Sequence, residues 1–247
     1  MQEIVIVTRV GSWVGAETTV ELLRRNIAVL GIGTNAQRIA TLHAALQRQL
    51  PATKSSLFIP CVGPLTSTAT QQSILDHLQQ YRLLAMINNT GAYEEDEPGV
   101  ISGKSPFEQW DSLQRSLVDP LVLFHRIRHI LRRNKCRVVN VASDDARSEM
   151  PRHVSLIAIK TAVNLITAEI AVVDPEVVSL AVHPAAPAVR LPPQERREVK
   201  PEEDGKPPPP AAADLIVGLA LSADPSLSGQ YFMYSEPEFL VHPPPEP

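Results

Sequence analysis

The sequence is poor in the features that mark several protein classes. It has two cysteines in 247 residues, Cys61 and Cys136. They lie far apart and lack metal-ligand spacing, so they read as reduced, buried, structural thiols of a reducing compartment, and no metal site is expected. There is no excess of positive charge: the formal net charge is -4 and the pI is about 6.0. No basic patch argues for nucleic acid, and no basic amphipathic segment argues for a membrane surface. No apolar run is as long as a membrane-spanning helix. The start of the chain has neither a charged n-region nor a cleavage site, because Met1 leads almost directly into IVIV. A cytoplasmic protein is therefore expected rather than a secreted one.

What is present is enough apolar residue, 44%, to bury one sizeable core, and a chain of this length in an α/β fold forms a single domain, 1–247. EIVIVTRV is a short, β-branched, continuously apolar run, as expected of a strand buried on both faces. IAVLGIG, SLFIPCV, LLAMINNTG, CRVVNVAS, VVSLAVHP and GQYFMYS read as six further strands. Between them lie segments with helical spacing: GAETTVELLRRN, AQRIATLHAALQRQL, ATQQSILDHLQQY, the long SPFEQWDSLQRSLVDPLVLFHRIRHILRRN, VSLIAIKTAVNLITAEIAVV and AADLIVGLALSAD. Pro106 suits the first turn of the long helix, and Pro120 is placed to kink it. Strand and helix alternate throughout, which implies a Rossmann-like, doubly wound, mostly parallel seven-stranded sheet with helices on both faces. Two segments break the alternation. Residues 186–210 mix proline and charge with too little apolar surface to pack, and read as a mobile loop. The tail 238–247 is expected to run extended along the surface. No internal repeat is found.

The order of elements, together with TRVGSWVG, NNTG, VNVAS and LIAIK, resembles the short-chain dehydrogenase/reductase family over nearly the whole chain. The resemblance implies an NAD(H)- or NADP(H)-binding fold, carbonyl or alcohol redox chemistry, and an Asn-Ser-Tyr-Lys catalytic set. Each motif departs from the family in part. The phosphate loop of the family reads TGxxxGxG; here Thr8 and Gly15 match, while Arg9 and Trp13 stand at the first and second glycines. In such loops the first glycine permits the tight turn, the second lets the backbone approach the pyrophosphate, and the last allows close helix–strand packing. Gly15 keeps the last role. Trp13 puts a ring where the pyrophosphate would approach, and Gly11 offers a shifted turn. The plainer reading of VGSWVG is an ordinary strand-to-helix turn.

The adenosine side is bare. After the second strand, GIGTNAQR has no acid to select NAD, and its one base, Arg38, reads as part of a solvated helix face. FIPCVGPLTSTATQQ carries no carboxylate where the family often has an aspartate. NNTG, Asn88 to Gly91, is similar to the NNAG that stabilises the central sheet and lines the cofactor crevice. Asn88 and Gly91 join Thr8, Gly11, Gly15 and Lys160 as the candidate cofactor-binding residues.

In the catalytic set, Ser143 and Lys160 match the family serine and lysine. Leu156 stands at the tyrosine, one helical turn before Lys160 on the same face, and Leu117 aligns with the asparagine. Leucine has no ionisable group, so it can neither give nor take the proton that carbonyl reduction needs. Lys160 alone is as well read as a lysine whose stem packs while its amine reaches water. His153 is the best replacement acid by spacing, since histidine titrates near working pH; Asp144, Asp145, Tyr93, Ser155 and His183 read as surface or turn residues.

Three readings follow. The first is a degenerate family member without ordinary redox activity, keeping a binding role for a small molecule or partner. The second is an NAD(P)H-dependent carbonyl reductase with a rebuilt site. The third is a redox-free isomerase or cyclase in the old pocket. By the same resemblance, copies are expected to associate as a homo-oligomer through residues 106–133 and 156–173.

Overall fold

The computed structural model describes residues 1–89, 114–142, 154–183, 210–233 and 240–242. The first apolar run forms β1 (Gln2–Thr8), followed by α1 (Trp13–Arg24), β2 (Ala28–Gly33), α2 (Ala36–Gln49), the single turn α3 (Ala52–Ser55), β3 (Phe58–Val62), α4 (Thr68–Gln80) and β4 (Tyr81–Asn88). After a π-helical turn, Gln114–Val118, come α5 (Asp119–Arg133), β5 (Arg137–Val141), α6 (Val154–Val173), β6 (Val178–His183), α7 (Pro210–Ser222), β7 (Tyr231–Met233) and β8 (Leu240–His242). The strands form one sheet in the order β3-β2-β1-β4-β5-β6-β7-β8. The seven parallel strands match the expected fold. The tail adds an eighth, antiparallel strand, with Leu240 opposite Met233 and His242 opposite Tyr231. It is the one element of the sheet that the apolar pattern had left as a surface extension.

The period of two along each strand splits the core into two layers. Val5 and Val7 of β1 point to a layer completed by Leu22 and Leu23 of α1 and by Ile216 and Val217 of α7. Ile4 and Ile6 point to the opposite layer, against Ile74 of α4 and Leu123 and Ile127 of α5. All these side chains are buried, which is why the strands read as unbroken apolar runs rather than alternating ones.

Helix ends are set by local chemistry. Ser12, Asn35 and Ser67 cap α1, α2 and α4, each accepting a hydrogen bond from a backbone N–H in the first turn. Asn26 and Lys135 take left-handed backbone, with φ of 62° and 51°. Each closes its helix with a paired bond, Ile27 N to Leu22 O after α1 and Cys136 N to Leu131 O after α5. The kink expected at Pro120 takes a definite form. Proline has no N–H for the carbonyl four residues back, and the chain widens into the π-turn just before it.

The sequence loop 186–210 lies outside the described residues except for Pro210, which opens α7. No helix among the described residues is long and apolar enough to cross a membrane. Nor do those residues contain a group of three or more His, Cys, Asp or Glu side chains able to hold a metal ion.

Candidate functional site

The strand order reverses between β1 and β4, so the carboxyl ends of these two strands frame the crevice in which doubly wound sheets bind ligands. Thr8 ends β1, Asn88 ends β4, and α1 starts beyond a short turn from β1. Three of the expected cofactor residues, Thr8, Gly15 and Asn88, therefore come together here.

Thr8 is buried, and its hydroxyl accepts from Asn89 N at 3.0 Å while donating to Asn88 Oδ1 at 3.3 Å. Asn88 Nδ2 donates to Asn140 Oδ1 at 3.0 Å, and Asn140 Nδ2 donates to Thr167 Oγ1 at 2.9 Å. Thr167 in turn donates to Val163 O at 2.8 Å, inside α6. This chain of polar groups crosses β1, β4 and β5 and ends on a helix, entirely inside the protein. Each member has a partner, as buried polar groups require. Asn140 and Thr167 were not among the sequence candidates. The signal was available for Asn140: an amide in the middle of the apolar strand CRVVNVAS costs free energy unless it is bonded.

The loop from β1 to α1 makes its tight turn without a glycine at the turn position. The left-handed residue is Arg9, with φ of 48°, at the position of the first family glycine. Gly11, the expected site of a shifted turn, does not carry the positive φ. It lies instead under the stem of Arg38, whose Cβ is 3.0 Å from where a Cβ on Gly11 would be. Arg38 itself is exposed, as expected of a helix face, and it also roofs this turn. Gly15 does what the last glycine of the motif does. A Cβ there would stand 2.7 Å from Arg9 O and 2.9 Å from Val10 Cα, both backbone. Trp13 is the first residue of α1. The Ser12 hydroxyl in front of it is already engaged, accepting from Gly15 N at 3.2 Å and from Asn89 Nδ2 at 2.6 Å.

The catalytic positions are less fully described. Gly91, Ser143, Tyr93, Asp144, Asp145 and His153 lie outside the described residues. Leu156 and Lys160 lie on α6, which is α-helical without interruption from Val154 to Val173, so they are one turn apart; their side chains are outside the description. Leu117 sits in the π-turn, half-buried, against a small cluster of Ala142, Ile159, Val163, Ala181 and Tyr231. An apolar contact thus replaces the amide that the resemblance places there. His183 ends β6, half-buried, on the same face as Ala181 and so on the α6 side. The two thiols lie in the core, away from the crevice. Burial pushes the Cys136 thiol up to about 12, and burial also raises Cys61 against the lowering effect of its hydrogen bond with Ser73. Both are poor nucleophiles.

These features can be set beside known proteins. The family model for short chain dehydrogenases matches residues 3–188. The chain therefore belongs to the short-chain dehydrogenase/reductase family. Among solved structures, it is similar to the KRED1-Pglu enzyme, with a TM-score of 0.75, 17% identity and coverage of 93% of this chain and 100% of that one. It is also similar to a short chain dehydrogenase from Bacillus anthracis str. 'Ames Ancestor', with a TM-score of 0.74 and 14% identity over 94% of each chain. A third neighbour is a short-chain dehydrogenase/reductase of unknown function from Caenorhabditis elegans, solved with cofactor, with a TM-score of 0.67 and 19% identity over 88% of each chain. At these identities the neighbours speak for the fold. None of the curated proteins compared with the chain matches it.

Proposed function

We propose that this protein is a short-chain dehydrogenase/reductase that has lost the family's ordinary redox chemistry and keeps a binding role. The observation that carries this is the unbroken helix from Val154 to Val173. Along that helix Leu156 stands one turn before Lys160, where the family resemblance expects the tyrosine. Hydride transfer to a carbonyl needs a proton donor beside it, and a leucine supplies none. The apolar packing of Leu117 removes a second polar group of the set.

The phosphate loop supports the same reading. A dinucleotide bound as the family binds it brings its pyrophosphate against bare backbone at the second glycine. Here that position is Trp13, and the Ser12 hydroxyl beside it is engaged with Gly15 N and Asn89. These residues do not fit the pyrophosphate in that pose, so no reaction step is assigned to a nicotinamide cofactor.

A second reading has its own support. Thr8, Asn88, Asn89 and Gly15 keep the crevice frame that cofactor-binding members use, and this favours retained binding of NAD or NADP by a protein rebuilt around another proton donor.

Titration with NADPH and NADH, followed by tryptophan fluorescence and calorimetry, tests the choice. The binding role without cofactor predicts no saturable signal up to millimolar ligand. Saturable micromolar binding would overturn it and turn attention to ketone and diketone substrates. Introducing Leu156→Tyr into a protein that binds neither cofactor should restore no turnover.

We also propose self-association through the outer faces of α5 and α6. On α6, Leu165, Val172 and Val173 are exposed, Val172 at 81%, which is unusual for aliphatic side chains facing water; α5 enters this proposal by the family resemblance. A monomeric mass by light scattering would refute this part.

A further inference from the structure

We infer that the cavity between the π-turn, α5, α6 and the β4–β5 pair is a site for one ordered water molecule, held by Ser116, Asn88 and Asn140. The cavity has a volume of about 20 Å³. A water needs roughly 10–15 Å³ of such space together with two to four polar partners. The volume therefore suits one molecule and no larger ligand.

The partners are on its wall. Asn88 and Asn140 line it from the sheet, and Ser116 lines it from the π-turn. Each amide has capacity left after its bonds within the polar chain. Asn88 Nδ2 uses one hydrogen on Asn140 and has a second; Asn140 Oδ1 accepts one bond and has another lone pair. Ser116 is 5% exposed and brings to the wall a hydroxyl able to donate one bond and accept two. A polar group left unmatched in such a place costs about 1–3 kcal/mol, and a water in the adjoining space bonds with it.

The remaining wall is apolar, with Met86, Phe124, Val138 and Ile170 among its residues. The water is thus held at one end only, against three side chains from three different elements. Its effect is to tie the π-turn to the strands. Pro120 weakens the helical hydrogen bonding just there, and the water joins Ser116 to the polar chain that already runs from Thr8 to Thr167. This site does not depend on the reading of the function given above.

The test is a high-resolution crystal structure of the full chain, with oxygen-17 relaxation dispersion counting long-lived waters in solution. The expected result is one water within hydrogen-bonding distance of Ser116 Oγ and of at least one of the two amides. In Ser116→Val, whose methyl groups fill the space, that water is lost and the count of long-lived waters falls by one. Ser116→Ala, a milder change that keeps the fold in any case where valine does not, should leave a water on the amides with a shorter residence time. A dry cavity in the wild-type crystal, or one that takes up xenon under pressure as apolar cavities do, would overturn the assignment.

Discussion

Two glycine-to-alanine substitutions should move stability in opposite directions. At Gly15 a Cβ would meet Arg9 O at 2.7 Å and Val10 Cα and O at 2.9 and 3.1 Å. All three are backbone atoms of the loop, and Val10 is itself pinned by its N–H bond to Ile32 O at 3.0 Å. The clash cannot be relieved by a side-chain rotation; either α1 or the loop must shift. Overpacking of this kind costs typically 1–3 kcal/mol, against a gain of at most ~1 kcal/mol for replacing glycine by alanine in a helix. The net expectation for Gly15→Ala is a loss of about 1–2 kcal/mol, a fall in Tm of roughly 2–8 °C at 2–4 °C per kcal/mol for a chain of this size. At Gly218, in the middle of α7, a Cβ would meet nothing within 4 Å. Gly218→Ala should therefore show the helix gain alone, a stabilisation of about 0.5–1 kcal/mol. Both are read by thermal and urea denaturation of the purified variants under the same conditions. If Gly15→Ala were as stable as the parent, α1 would not sit on β1 as closely as the structure has it, and the packing role of Gly15 would be lost with it.

Other consequences follow from single groups. Ser179 is fully buried and its hydroxyl has no hydrogen-bond partner among the described residues, so Ser179→Ala should be neutral or stabilising by about 1 kcal/mol, whereas Thr167→Val, which strands the Asn140 amide, should cost about 1–3 kcal/mol. Denaturant melts that ranked the two the other way would contradict the hydrogen-bond assignments. Asp174, 2% exposed, accepts from Arg128 Nε at 2.8 and 2.9 Å and lies 3.5 Å from Arg132 Nε. Asp174→Ala should cost about 2 kcal/mol, less than the 3–5 kcal/mol of a fully buried pair because both arginines can return to water. A loss below the error of the melt would show that the ion pair is not formed in solution. Cys136, with its pKa pushed up to about 12 from 9.0, and Cys61, shifted in the same direction, should not react with a thiol reagent at pH 8 until the protein unfolds. The sign for stability is fixed by the same shift. The folded state holds the Cys136 proton more tightly than the unfolded state, so its contribution is whole below about pH 9 and is lost as pH rises toward 12. Rapid native-state labelling would argue against the burial of both thiols.

The sequence carried the sheet well because buried parallel strands have nowhere to hide: seven continuous apolar runs between amphipathic segments admit few other arrangements. It carried β8 poorly. Three residues before a proline cluster give too little periodicity to separate an edge strand from a surface extension, and the pairing with β7 decides it. At the site, the legible part was identity and the illegible part was geometry. Leu156 and Leu117 announce themselves by type. That Arg9 would take the left-handed turn itself, leaving Gly11 in an ordinary conformation under Arg38, is a property of the loop's closure and of no single residue. The polar chain was visible at one end only. NNTG marks Asn88, but Thr167 lies among apolar residues on a helix where threonine is unremarkable, and its partner Asn140 is 27 residues away.

The two groups of residues differ in what the fold asks of them, and this accounts for how chemistry can be lost while the architecture stays. Thr8, Asn88, Asn140 and Thr167 bond one another inside the protein, and removing any one leaves a buried donor or acceptor unpaired at a cost of about 1–3 kcal/mol. Gly15 is held by backbone contacts that no side chain can relieve. Thr8, Gly15 and Asn88 among them are positions that still match the family. The departures fall elsewhere. Trp13 starts a helix that Ser12 already caps, and Leu117 adds apolar area to a cluster that receives it. Leu156 is within the first turn of a helix rich in aliphatic residues. A change of that kind costs the fold little. Stability alone would suffice to keep the crevice frame, so the frame favours retained cofactor binding only weakly, whereas the changed residues bear directly on chemistry. Changes at 13, 117 and 156 are of a kind that the sheet does not register, and the cofactor titration is the measurement on which the two readings part.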